Sequence, residues 1–170
     1  MDSESARMSS AAEARFRIDY PNSQPRVVKV IALDQASENV VKRVAEGSWQ
    51  RASFFASPKF DGSPRGGENW SMQAWLSDLA GRTKALVDEV NSADLMVMVS
   101  SAGTGAQAAA VIGEACAVRK VMTMALVIGS EQRSNEELSK TLAALRPYAS
   151  MLVIANGDEY IEEMLSALRA

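Results

Sequence analysis

The sequence predicts an α/β fold, a three-layer Rossmann-like parallel sheet with helices on both faces, and two observations lead there. Continuous apolar runs such as "RVVKVIAL", "ADLMVMVS" and "VMTMALVIG" lack polar alternation, as strands buried on both faces do. Between them lie segments of helical period, and strands alternating with helices of this length imply parallel pairing through right-handed crossovers. A chain of 170 residues with 47% hydrophobic content is sized for one domain with a real core.

The elements follow in order. Residues 1–25 are rich in Ser, Ala, Glu and Arg without a sustained apolar stripe, and Pro21 and Pro25 close them, so a flexible tail is expected there. Residues 26–170 are expected to form the single α/β domain. "RVVKVIAL" is its first strand, and "SENVVKRVAEG" is a helix with Val40, Val41 and Val44 on one face and Gly47 as its stop. "ASFFAS" reads as a second strand. Residues 57–69 are mostly turn formers, which implies a surface loop. "WSMQAWL" fits a strand or a helix start, and "SDLAGRTKALVDEVNS" reads as a helix with Leu79, Leu86 and Val90 inward.

"ADLMVMVS" is the next strand, and its run Leu95 to Met98 is core. A Gly-containing turn follows it, then a helix over residues 106–118 and the strand "VMTMALVIG". "SNEELSKTLAALRPY" opens with a capping box, Ser134 with Glu137, and stops near Pro147. "SMLVIAN" is the last strand and "DEYIEEMLSALRA" the closing helix, whose acidic first turns suit the helix dipole.

Composition removes several function classes. Histidine is absent, and with it the commonest general base, nucleophile partner and metal ligand. Cys116 is the only cysteine, so no internal disulfide or cysteine metal cluster forms, and it reads as a small buried hydrophobe. The net charge of -3, with Lys and Arg scattered, gives no footprint for nucleic acid. No apolar run approaches the roughly 20 residues of a membrane span, and the N-terminus has no apolar signal core, so a cytoplasmic protein without membrane contact is expected.

In open parallel sheets ligands sit beyond the carboxyl ends of the strands, which directs attention to residues 34–38, 100–106, 129–133 and 155–158. At the second of these turns, Gly103-Thr104-Gly105 admits two readings. Its N–H groups and the Thr hydroxyl suit an anion, and they equally suit a tight strand-to-helix bend capped by Thr104 or Ser101. Ser100 and Ser101 lack both a nucleophile elbow and a histidine, so capping outweighs catalysis. Asp34 is expected to cap the helix beginning near Ser37. Trp49, Trp70 and Trp75 flank the long loop and read either as packing beneath it or as a contact surface for a partner.

Taken together, these turns resemble the loops of the nucleotide-binding domain of the tubulin and FtsZ family. "SAGTGAQAAAVIGE" keeps Gly103, Thr104, Gly105 and the helix with Glu114 at the spacing of that family's Gly-Gly-Gly-Thr-Gly-Thr-Gly signature. Ala106 and Gln107 replace its second Thr-Gly, and Ser101 and Ala102 its first two glycines. "VKVIALDQASENVVKRVAEG" is similar to the family's first strand, loop and helix, with Asn39 and Arg43 in matching positions, and Asn156 matches a base-contacting Asn.

The resemblance implies a guanine nucleotide at Ser101, Gly103, Thr104, Gly105 and Ala106, facing Asp34, Gln35 and Ser37, with Asn156 on the base. Yet the first loop, nearly all glycine in the family, is here Asp34, Gln35, Ala36, Ser37 and Glu38, which places carboxylates where a triphosphate would sit. The chain also ends one helix after Asn156, without the family's second domain. Hydrolysis and head-to-tail polymerisation by the family's mechanism are therefore not expected. The reading that follows is an FtsZ/tubulin-like binding or regulatory module without hydrolysis, with a homo-oligomer or another protein as partner. Two alternatives stay open: a nucleotide or small-anion binder with weak or no turnover, and a cofactor-dependent enzyme on a Rossmann-like sheet. No catalytic or metal-binding residue is assigned.

Overall fold

A computed structural model describes residues 24–57, 75–103 and 107–170. The strands are β1 (Val28–Ala32), β2 (Ala52–Ala56), β3 (Trp75–Asp78), β4 (Thr83–Ala85), β5 (Leu95–Ser101), β6 (Met122–Ile128) and β7 (Met151–Ala155). The helices are α1 (Gln35–Ala45), α2 (Leu86–Asn91), α3 (Gln107–Arg119), α4 (Asn135–Leu145) and α5 (Glu159–Ala167). Single 3₁₀ turns at Ser130–Gln132 and Arg146–Tyr148 flank α4.

The strands form one sheet in the order β4-β3-β2-β1-β5-β6-β7. Its parallel part is β2-β1-β5-β6-β7, the doubly wound order 2-1-3-4-5 when only parallel strands are counted. Both faces are covered, as the unbroken apolar runs require. On one face Val28, Val30 and Ala32 of β1 pack with Val41 and Val44 of α1 and Ile161 and Leu165 of α5. On the other, Ile31, Met96 and Met98 pack with Leu86 and Val90 of α2, Ile112 of α3 and Leu145 of α4. Alternate residues of each buried strand thus feed opposite cores.

The expected parallel sheet with helices on both faces is present, and it carries an antiparallel extension at one edge. β3 and β4 run antiparallel to their neighbours and extend the sheet beyond β2. The helix expected over "SDLAGRTKALVDEVNS" is in fact this hairpin followed by the short α2. Its cause is local chemistry at Asp78. One carboxylate oxygen accepts from the N–H groups of Ala80 (3.0 Å) and Arg82 (2.8 Å), the other from Arg82 Nε (2.7 Å), and Gly81 takes a positive φ of 80°. An Asp offering its own turn competes directly with helix bonding. Leu86 and Val90 do point into the core, while Leu79 lies half-buried within the turn.

Of the tryptophans, Trp49 packs: its indole N–H donates to Val44 O at 2.7 Å, and its ring lies against the second core. Trp70 lies outside the described residues, as do most of the loop over 57–69 and all but the last two residues of the tail over 1–25. Trp75 opens β3, opposite Ala85. Among the described residues no helix is long and apolar enough to cross a membrane.

Candidate functional site

β1 connects to β2 on one side while β5 lies on its other side, so the strand order reverses between β1 and β5. At such a switch point the following loops turn away from each other and leave a crevice at the carboxyl ends. Here that crevice is bordered by Leu33 and Asp34 after β1 and by Ser100 and Ser101 at the end of β5. Leu33 N–H donates to Val99 O at 2.9 Å and holds the two chain ends together.

Asp34 closes the crevice. It stands at the N-cap of α1 in extended conformation (φ -150°, ψ 170°), and its Oδ1 accepts from Ser37 N at 2.9 Å. Ser37, fully buried, answers through its hydroxyl, which accepts from Asp34 N (3.1 Å) in a capping box. The expected N-cap is therefore present, but the carboxylate reaches further. Ser101 Oγ donates to Oδ1 at 2.7 Å, Ser101 N donates to Oδ2 at 2.7 Å, and the buried Ser100 hydroxyl donates to Oδ2 at 3.4 Å. An anion thus sits at the switch point, and it belongs to the chain. Ser100 and Ser101 serve this carboxylate, whereas the sequence suggested capping of the next helix. Glu38, the other carboxylate of the loop, pairs with Lys42 at 2.6 Å.

A second group of residues lies one strand over, at the ends of β5 and β6. Ala102 N donates to Ile128 O at 2.8 Å, and Gly103 then turns with φ 86°, a conformation that favours glycine. Gly103 N donates to Thr141 Oγ1 (3.0 Å), and that hydroxyl, on α4 and buried, donates to Glu137 O at 3.2 Å. Arg133 covers the turn: a Cβ built on Gly103 would lie 3.5 Å from its Cδ and Nε and 3.6 Å from Cζ. Its guanidinium Nη1 stands 3.6 Å from Glu137 Oε1, a long, half-exposed ion pair. Glu137 is held below its ordinary carboxylate range, chiefly by the Ser134 N–H of the α4 capping box. A cation therefore stands over a glycine peptide at the carboxyl edge of the sheet, loosely paired. That arrangement suits a small anion.

Of the residues the sequence singled out, Asp34, Ser37 and Ser101 meet in one hydrogen-bonded group, with Gly103 two residues further on. Gln35 is exposed in the first turn of α1. Asn156, also exposed, follows β7, three strand spacings from β1, or about 14 Å. It does not join the group. Thr104, Gly105 and Ala106 lie outside the described residues. Arg43, matched above to a family position, pairs with Asp158 at 2.8 Å and ties α1 to the start of α5.

Sequence reasoning missed Thr141, although its position four residues after Glu137 on one helix face was a usable signal. It also missed Lys29, a buried cation within the apolar β1 that meets Glu89 of α2 at 2.9 Å. Cys116 matches its reading as a buried hydrophobe, and burial pushes its thiol up to about 12. Two cavities, each about 400 Å³, lie at the other end of the sheet, one between α3 and the start of β7, the other beside Trp49 and the C-terminus.

No family model matches the chain, and no curated protein matches it. Among solved structures it is similar to the translation elongation factor SelB from Methanococcus maripaludis in complex with the GTP analogue GppNHp. That match has 10% identity over 86% of this chain and 34% of the other, with a TM-score of 0.49. The apo form of the same factor matches with 10% identity over 84% of this chain and 36% of the other, TM-score 0.46. The chain spans about a third of the length of these structures, and the likeness is one of α/β fold alone. These neighbours correct the resemblance to tubulin and FtsZ, since they belong to a different family. The first loop departs from that family as well, because the bend after β1 is an aspartate-capped helix start rather than an open glycine loop.

Proposed function

We propose that this protein is a non-hydrolytic binding module for a small phosphate-bearing ligand of the nucleotide class. The ligand is seated at the carboxyl ends of β5 and β6 beneath Arg133. The observation that carries this reading is the bonding of Asp34. Backbone and hydroxyl donors that could wrap a phosphate at the β1–β5 crevice already serve its carboxylate. A triphosphate entering there would displace a hydrogen-bonded anion and meet its charge. The guanidinium of Arg133 lies outside that lock, and the Arg133–Glu137 pair is long enough to yield to a stronger anion.

One guanidinium supports modest affinity, with Kd of about 0.1–1 mM. At ten times Kd such a ligand stabilises the fold by roughly 1.4 kcal/mol, a rise in Tm of about 3–6 °C. Thermal unfolding with GDP, GTP, ATP and flavin nucleotides, each with magnesium and with a chelator, tests this. A magnesium-independent rise that disappears in Arg133→Gln is expected. A rise that survives in Arg133→Gln would move the site elsewhere.

A further inference from the structure

The two edges of the sheet are not alike. β4 is short, carries Lys84 and follows Arg82, the usual protection of an exposed edge. β7 is Met-Leu-Val-Ile-Ala, with neither charge nor proline, and its register with β6 is continuous over its whole length. Ser150 N donates to Thr123 O, so by strand alternation Leu152 and Ile154 also turn their backbone groups toward β6. Met151, Val153 and Ala155 then turn theirs outward, and among the described residues nothing pairs with them. Met151 and Ile154, 55% and 45% exposed, flank this row on opposite faces of the sheet.

We propose that β7 is the edge through which two copies of this chain join, antiparallel, into one continuous sheet. A two-fold axis through Val153 makes the edge complementary to itself. Every outward N–H meets an outward carbonyl, Met151 falls opposite the small Ala155 of the second copy, and Leu152 falls opposite its Ile154. Charge agrees with this direction. Arg146 precedes the strand, while Glu159 and Glu162 follow it at the start of α5, so the antiparallel arrangement brings the basic end of one edge to the acidic end of the other. A parallel arrangement would set like ends together.

Sedimentation velocity of the full chain up to about 100 µM tests the proposal, with a concentration-dependent dimer expected. Val153→Pro deletes an outward N–H without touching the β6 ladder and should give monomer. The double variant Met151→Lys with Ile154→Lys leaves the strand backbone intact and decides the matter if the proline variant fails to fold. It should raise the dissociation constant at least about tenfold with unchanged circular dichroism. A wild-type chain that stays monomeric, or a dimer untouched by the paired lysines, would overturn the proposal.

Discussion

At Asp34 a single side chain performs two tasks that mutation can separate. Asp34→Ala removes the cap on Ser37 N and also strands the Ser101 N–H and hydroxyl, with an expected loss of about 3 kcal/mol in urea unfolding. Asp34→Ser keeps a capping oxygen but not the reach to β5, and should recover about 1 kcal/mol of that loss. Equal losses in the two variants would mean that the cap contributes nothing. The cap was legible in the sequence, because an Asp three residues before Ser37 at the end of an apolar strand has few other local roles. The bonds to Ser101 were not, since that residue is far along the chain and only the β1–β5 register brings it near. Arg133 was visible as a residue, but its place over Gly103 depends on the positive φ of that glycine and the packing of α4.

Two ion pairs fix elements rather than chemistry. Lys29 on β1 meets Glu89 on the short α2, with both side chains largely buried. Glu89→Gln alone leaves a buried ammonium unpaired and should cost about 3 kcal/mol, while Lys29→Met with Glu89→Leu should recover most of it. Urea midpoints of the three variants measure the difference. Arg43 links α1 to Asp158, and its hydrogen bond holds that carboxyl below its ordinary 3.8. A folded-state pKa that is depressed contributes stability above the unfolded value and loses it as the pH falls through the folded one. Arg43→Gln should therefore lower Tm at pH 5.5, and its curve should converge with that of the parent as the pH falls below 3.8 and protonates Asp158. A gap constant across that range would contradict the role given to the pair. The sequence spelled out the helices and the buried strands, whose period or unbroken hydrophobicity is local. It misled at 77–85, where an Asp-centred turn overrode a segment of helical composition.

At the scale of the whole molecule, the doubly wound sheet sets a crevice between β1 and β5, and the chain fills it with its own carboxylate. In the function proposed above, the ligand therefore binds one strand over, under Arg133, rather than at the Asp34 crevice. The alternation of strands and helices made the α/β class readable from sequence. The strand order and the antiparallel hairpin depend on contacts between distant segments, so no local pattern announced them. The most direct test is calorimetric titration of GDP and GTP into the protein, in magnesium and in chelator, with phosphate release followed in the same samples. The account predicts one weak binding event of equal affinity in both buffers, with no phosphate released. Binding that tightens with magnesium and is followed by phosphate release, or no binding of either nucleotide, would contradict it.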